Sequence, residues 1–411
     1  MKSSLRVFLI APHMSRTATG EGFVAFKWAE ALSERVQLTV ASLQSPKHED
    51  LQKQLPKAEV ITWAEPKLFK STPRFRAMFK PEWFFFSWKV QGFLKNNTAR
   101  FDISHQIMPQ AMRYASPLRK YPTPYVIGPL GGSLTTPKAF ILEAEKASWF
   151  TKLRELDRFR LKYDPGLRKS YSGAALILGV APYIRRILSD IDLNRYENVL
   201  ELGIDEIVPA QPKLVEKPSD QINLLHVGRG VRTKGLREVI RALAHLSDMP
   251  GITLTSAGTG AEIENCRKEA EALGVADRVR FLGLIPRSEV ETLYAEADIF
   301  VFPSFREPAG NVIYEAMRWG LPVIAAARGG PDWIVDENTG IKIAVNDPAQ
   351  MARDVADAIR KLALDTDLRT SLGAGARDKL RREGLWSIKA DRLIEEYHKT
   401  IKLKSIKGNS L

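Results

Sequence analysis

Residues 298–331 read DIFVFPSFREPAGNVIYEAMRWGLPVIAAARGGP, a strand, a loop, a helix and a second strand in one short unit. Residues 299–302 form an apolar run of β-branched and aromatic side chains, and Pro303-Ser304 ends it. Pro308 and Gly310 forbid a helix across the loop that follows. From Asn311 to Trp319, the side chains of Val312, Ala316 and Trp319 share one side at helical spacing, and Gly320 is the stop. The next strand is 322–326. Glu307 thus stands before a helix N-terminus and Glu315 about one turn inside it. Eight residues of continuous helix would hold the two carboxylates ~12 Å apart along the axis. That spacing grips two ends of a ligand and does not suit two carboxyls sharing one proton.

The same alternation extends upstream. Strand-like runs at 222–227, 252–257 and 279–282 are separated by helical patterns at 236–246, 261–273 and 289–297, the rhythm of a parallel sheet with crossovers. Between the first strand and its helix lies Gly228-Arg229-Gly230-Val231-Arg232-Thr233-Lys234-Gly235. It offers a diphosphate flexible backbone, the cations Arg229 and Lys234, and a helix N-terminus. It is not a P-loop, because Gly235 stands where Ser or Thr would follow the lysine. Gly258-Thr259-Gly260 occupies the equivalent loop after the next strand. Either cation alone reads equally as half of a surface salt bridge; their joint placement points to phosphate.

The first half repeats the pattern more loosely. Strands are expected at 5–11, 37–41, 60–63, 103–105, 125–127 and 174–180. The loop 12–22, carrying Gly20 and Gly22, leads into a helix at 23–32 with a stripe at Phe23, Phe26, Ala29 and Leu32, an arrangement that suits an anion or an ordinary turn. His105 falls at the carboxyl end of its strand, where open α/β sheets bind ligands. Gly128-Pro129-Leu130-Gly131-Gly132-Ser133 is too glycine-rich for helix or strand and lets backbone approach a ligand.

At 411 residues the chain exceeds what one core usually holds, and the proline-rich stretch 208–220 reads as a linker. Two doubly wound domains, 1–212 and 213–385, would leave a cleft between them. The single cysteine, Cys266, excludes an internal disulfide and a cysteine-rich metal site and fits a reducing compartment. No apolar run is long enough to span a bilayer. The net charge of +13 asks for an acidic partner. From Lys67 to Arg100 eight basic residues and one acid interleave with nine Phe and Trp, the composition of a membrane interface, of a single-strand stacking platform or of a core helix with a solvated basic face. No nucleic-acid motif accompanies it. Residues 143–169 add a second basic helical region.

The ordered series VGRGVRTKG, SAGTG, FLGLIPRSEV and FVFPSFREPAGNVIYEAMRWGLPVIA resembles the retaining, nucleotide-sugar-dependent glycosyltransferases of family 4, over most of residues 222–345. TATGEG, DISH and GPLGGS extend the resemblance more loosely, the last toward the GPIGG-type branch that makes bacterial surface polysaccharides. The resemblance implies the GT-B fold, α/β with two Rossmann-like domains facing a cleft, and residues 386–401 resemble the family's last helix, which crosses back to the first domain. It implies that Arg229 and Lys234 hold the donor diphosphate, that Glu307 orients the donor sugar and that Glu315 binds the ribose. Gly310, Asn311 and Val312 would approach sugar or phosphate through backbone, Gly258 of the SAGTG motif would lie in the nucleotide-binding site, and Ile285 with neighbouring Arg287 would fall where the base is held. Gly20 would stand near the phosphates and His105 near the reacting sugar.

Two departures bear on the site. The family carries E-G-F-G or E-S-F-G where this chain has Glu307-Pro308-Ala309-Gly310, so a small residue replaces an aromatic one beside the sugar. Gly22 stands where an acidic residue is common. The expected reaction moves a sugar from a nucleotide diphosphate sugar to the hydroxyl of a sugar or lipid-linked acceptor, at the cytoplasmic face of an anionic membrane. The candidate site holds no D-x-D and no ligand cluster, so no metal and no cofactor is expected, the two cations and a helix dipole supplying the charge. A GT-B sugar-nucleotide epimerase would bind the donor similarly. A non-catalytic nucleic-acid binder would explain the charge but not the carboxylates and glycine loops.

Overall fold

The computed structural model describes residues 5–66, 82–143, 155–209 and 221–408. The chain divides into two compact units. Met1–Ser133, Trp149–Leu202 and Trp386–Leu411 form the first, and Leu134–Ser148 with Gly203–Leu385 form the second.

The first unit is built on β1 (Arg6–Ile10), β2 (Gln37–Gln44), β3 (Glu59–Ala64), β4 (Ile103–Gln106), β5 (Tyr125–Leu130), β6 (Leu176–Gly179) and β7 (Tyr196–Asn198). They pair in the order β3-β2-β1-β4-β5-β6-β7, and every pairing is parallel. Central strands covered on both faces need continuous apolar sequence, and Val7, Phe8, Leu9 and Ile10 are all fully buried. Val7 and Leu9 face a core that includes Phe26, Trp28 and Leu32 of helix Glu21–Ser33. Phe8 points to the other face, stacked on Phe101 with 4.8 Å between ring centroids.

The C-terminal helix Trp386–Gly408 belongs to this same core. Its Trp386, Ala390, Leu393 and Tyr397 recur at the spacing of one helix face and pack against helix Glu21–Ser33. Trp386 meets Trp28 edge-on at 5.4 Å, and the Trp28 indole N–H donates to the Glu201 carbonyl oxygen at 2.8 Å.

The second unit carries β8 (Ile222–Val227), β9 (Ile252–Ala257), β10 (Val279–Gly283), β11 (Ile299–Phe302), β12 (Val323–Ala326) and β13 (Gly340–Ile343), in the order β10-β9-β8-β11-β12-β13 and again all parallel. The strand order reverses between β8 and β11. Loops leaving the carboxyl ends of those two strands therefore diverge and leave room for a ligand.

Several expectations need correction. Gly128, Pro129 and Leu130 lie within β5, because Leu130 still pairs with Gly179 across a register shift. β7 is a short edge strand with no apolar alternation to announce it. Residues 134–143, expected in the first domain, cluster with the second. Phe140 is the anchor there, fully buried and packed at a tilt against Phe305 with 4.2 Å between ring centroids. In helix Asn311–Arg318 the buried face is Ile313, Tyr314, Ala316 and Met317, with Val312 and Trp319 only half-buried. Most of the linker and residues 67–81 of the basic-aromatic stretch lie outside the described residues, as do 144–154 of the second basic region.

Candidate active site

Two loops meet where the second sheet reverses its strand order. One leaves β8 as Gly228–Gly235 and passes through the 3-10 turn Arg232–Lys234 into helix Leu236–His245. The other leaves β11 at Pro303 and enters helix Asn311–Arg318 at Gly310. The Ser304 hydroxyl donates to the Thr233 carbonyl oxygen at 2.9 Å, which fastens one loop to the other.

Lys234 and Glu307 are brought together. The Lys234 ammonium ion-pairs with the Glu307 carboxylate, both side chains largely buried, and it lies 5.4 Å from the centre of the Phe302 ring. The other Glu307 oxygen accepts from the Ala309 N–H at 3.4 Å, and the Glu307 carbonyl accepts from the Gly330 N–H at 3.0 Å. Beneath the lysine, His226 is buried with Nε2 3.2 Å from the Lys234 carbonyl oxygen, and burial pushes its pKa down to about 4. The histidine is therefore neutral at pH 7 and donates from Nε2.

Glu315 sits in the first turns of helix Asn311–Arg318. Burial pushes its carboxyl above the usual carboxylate range, opposed by the nearby Arg287 charge and by the Tyr294 hydroxyl, which donates to it at 3.2 Å. Asn311 and Val312 open that helix, with the Val312 carbonyl oxygen 3.5 Å from the same tyrosine oxygen. Ile285 is half-buried beyond β10, just before helix Arg287–Glu296. Arg229 is exposed and makes no ion pair among the described residues.

The glycine pair at Gly258 and Gly260 has an architectural reason first. A Cβ at either position would collide with the carbonyl oxygens of Gly228 and Gly230 respectively, since the two loops run side by side. The Gly228 N–H donates to Ala257 O at 3.0 Å and the Gly230 N–H to Thr259 O at 2.9 Å.

Among the described residues, four helices are capped by an aspartate and three begin at a glycine. Helices at 51–54, 165–172, 348–364 and 366–383 are capped by the carboxylates of Asp50, Asp164, Asp347 and Asp365. Helices Glu21–Ser33, Leu236–His245 and Asn311–Arg318 instead begin at Gly20, Gly235 and Gly310, each with positive φ and no side-chain cap. An aspartate cap satisfies the first N–H groups and repels phosphate; a glycine cap leaves those donors and the positive end of the dipole for an anion.

His105 is in the first unit and fully buried, with Nδ1 2.5 Å from the Tyr397 hydroxyl and Nε2 2.7 Å from the Gly128 carbonyl oxygen. Burial pushes its pKa down to about 4. Both ring nitrogens are occupied, so its side chain fixes β4 to β5 and to the C-terminal helix.

Arg232, which the sequence does not set apart from its neighbours, is the buried cation of its loop. Arg232 bonds Glu238 and Glu143, at 2.6 Å to each, and sits 5.3 Å from the Phe305 ring centre and 5.8 Å from that of Phe140. Segment 134–143 thus clasps both loops: Glu143 and Phe140 hold the lysine turn and Phe305. Thr135 O and Thr136 Oγ1 accept from Arg328 at 2.7 Å and Arg306 at 3.0 Å. The loop carries three cations, Arg229, Arg232 and Lys234, and nothing in the sequence distinguishes the internally paired Arg232 and Lys234 from the exposed Arg229. Among the described residues no group of three or more His, Cys, Asp or Glu side chains is placed to hold a metal ion.

Residues 208–379 match the family described as Glycosyl transferases group 1. The lipopolysaccharide core biosynthesis glycosyltransferase LpsE of Rhizobium meliloti is 33% identical over 202 residues, 48% of this chain and 57% of that protein. D-inositol 3-phosphate glycosyltransferase of Corynebacterium jeikeium is 33% identical over 186 residues, 41% of this chain and 43% of that one. The chain spans about half the length of the curated relatives it matches. Among solved structures, sucrose-phosphate synthase from Thermosynechococcus elongatus superposes with TM-score 0.68 over 97% of this chain and all of that one, at 20% identity. Anabaena HepE in complex with UDP gives 0.64 over 96% of this chain and all of that one, at 17% identity. These likenesses carry the fold: the chain is GT-B.

Proposed function

We propose that this chain is a retaining glycosyltransferase of family 4, in the branch with a GPIGG-type loop. It would move a sugar from a nucleotide diphosphate sugar to an acceptor hydroxyl in polysaccharide or glycolipid synthesis. One observation carries the reading. Lys234, Glu307 and the uncapped N-termini of two helices converge where the second sheet reverses strand order. The group 1 domain match over 208–379 and the glycosyltransferase relatives support the same chemistry.

Without donor, Lys234 is neutralised by Glu307. A bound diphosphate competes for the ammonium, and the freed carboxylate accepts hydroxyls of the sugar. Arg229, exposed on the same loop, adds a planar donor fork to the phosphates. As the bond from the anomeric carbon to the diphosphate oxygen breaks, negative charge grows on the leaving group, and the two cations with the helix dipoles stabilise it without a metal. The acceptor oxygen bonds to the anomeric carbon on the face the diphosphate leaves, and the acceptor proton passes to the departing phosphate oxygen. Glu315, at the far end of the site, takes the ribose.

The acceptor is sugar or lipid-linked, presented at the cytoplasmic face of an anionic membrane. A thermal-shift screen of nucleotide sugars names the donor, and NMR of the product with that donor reads the anomeric configuration. Inversion overturns the retaining assignment, and isomerisation of the donor without any acceptor replaces transfer with epimerisation.

A further inference from the structure

Helix Glu82–Leu94 turns two sides to different surroundings. Trp83, Phe86, Val90 and Leu94 are buried, which fixes the helix to the first unit. Phe84 and Trp88, one turn apart, are 71% and 64% exposed. Large aromatic side chains exposed together to water mark a surface that meets something apolar. Helix Glu155–Tyr163 adds Phe159 and Tyr163, 61% and 57% exposed and 4.7 Å apart by ring centroids.

A groove of about 300 Å³ runs between these helices, with Phe84, Trp88 and Arg160 on its wall and Arg113, Arg119 and Lys120 from the intervening segment. The wall holds four cations and no carboxylate. Arg113 and Arg160 are compensated from outside it by Asp157 and Asp164, each at 2.8 Å. Arg119 and Lys120 make no ion pair among the described residues, and the Lys120 ammonium rests on Gln91 at 2.7 Å. Lys89 lies 4.9 Å from the centre of the Trp88 ring, so a further cation accompanies the exposed aromatic. Indole and phenyl rings beside uncompensated cations match a layer whose surface is phosphate and whose interior is apolar.

We propose that this groove docks the chain on an anionic bilayer, with Phe84 and Trp88 entering the headgroup layer and Arg119 and Lys120 taking a lipid phosphate. The docking deepens the membrane-face part of the function proposed above and does not depend on the transfer chemistry.

The test is co-sedimentation of the full chain with vesicles of phosphatidylglycerol mixed into phosphatidylcholine, and with phosphatidylcholine alone. The intact chain is expected to sediment with the anionic vesicles only. Phe84→Ala with Trp88→Ala should weaken that binding on the order of tenfold per ring, and Arg119→Glu with Lys120→Glu should abolish it. Both substitution pairs lie on the surface, and circular dichroism verifies their fold. Unchanged binding in the aromatic pair, or equal binding to neutral vesicles, overturns the proposal. Displacement by soluble glycerol phosphate at matched phosphate concentration would also overturn it, by making the groove a site for a free phosphate. Nucleoside diphosphate affinity, measured on the same variants, should not move. A chain that docks but binds no nucleotide sugar would refute the transfer reading and leave the docking standing.

Discussion

The Lys234 ammonium is ion-paired with the Glu307 carboxylate across the carboxyl ends of β8 and β11. A charge held this way is already desolvated and aimed, so exchanging one anion for another at the lysine requires little rearrangement.

Glu307→Gln removes charge-assisted hydrogen bonds worth about 1.5–3 kcal/mol each and should lower kcat/KM on the order of 10- to 150-fold. Lys234→Ala should lower it at least as much and also weaken nucleoside diphosphate binding. Because the two residues are in contact, the double variant should lose less than the product of the single losses. Strict additivity in steady-state kinetics would mean that the pair does not act as one unit.

The family resemblance implies a ribose role for Glu315, which lies about one turn into helix Asn311–Arg318. Glu315→Gln should weaken nucleoside diphosphate binding on the order of 10-fold. The same substitution should leave the affinity for a 2′,3′-dideoxynucleoside diphosphate unchanged in calorimetry. Equal weakening toward both ligands would move Glu315 out of the ribose site.

Phe140 links segment 134–143 to the site by packing against Phe305 and covering Arg232. Phe140→Ala should destabilise the second unit by about 3–5 kcal/mol in denaturant unfolding, and Phe140→Leu by less. Loss of the aromatic cover over Arg232 should also raise KM for the donor more than it lowers kcat, since Arg232 braces the turn that carries Lys234. A stability loss with no change in KM would confine Phe140 to the core.

His105 carries a pH prediction. Burial lowers its pKa from 6.5 to about 4, so the unfolded chain binds the proton more readily. The stability it contributes is present above about pH 6.5 and is lost as the pH falls toward 4, on the order of 3 kcal/mol. A His105→Asn chain should show a shallower decline across that window when denaturation midpoints are measured against pH. An unchanged slope would mean that other groups dominate acid unfolding.

The sequence made the second unit more legible than the first for a physical reason. Its strands are bounded by loops whose glycines and prolines are required by close approaches, such as Gly258 against Gly228, so punctuation and structure coincide. In the first unit, β5 runs through Gly128-Pro129, where the same punctuation misleads. The pairing of Lys234 with Glu307, 73 positions apart, depends on strand order, which local periodicity does not encode. His105 shows the converse: its place at a strand's carboxyl end was correct, but Tyr397, on the distant helix Trp386–Gly408, occupies its ring. Capping was readable, since glycine at 20, 235 and 310 and aspartate at 50, 164, 347 and 365 are visible in the sequence, though only helix boundaries give the contrast its meaning.

The two units are interleaved along the chain, the first made of three segments and the second of two. No single cut releases either half intact. A fragment starting at Gly203 would lack the clasp, leaving Phe305 bare and Arg232 without Glu143. Exchange of second units between chains of this fold, if made at one crossover after the first unit, would therefore swap the lysine loop while leaving its brace behind. Hybrids that keep residues 134–143 with the half they hold are the ones that should fold.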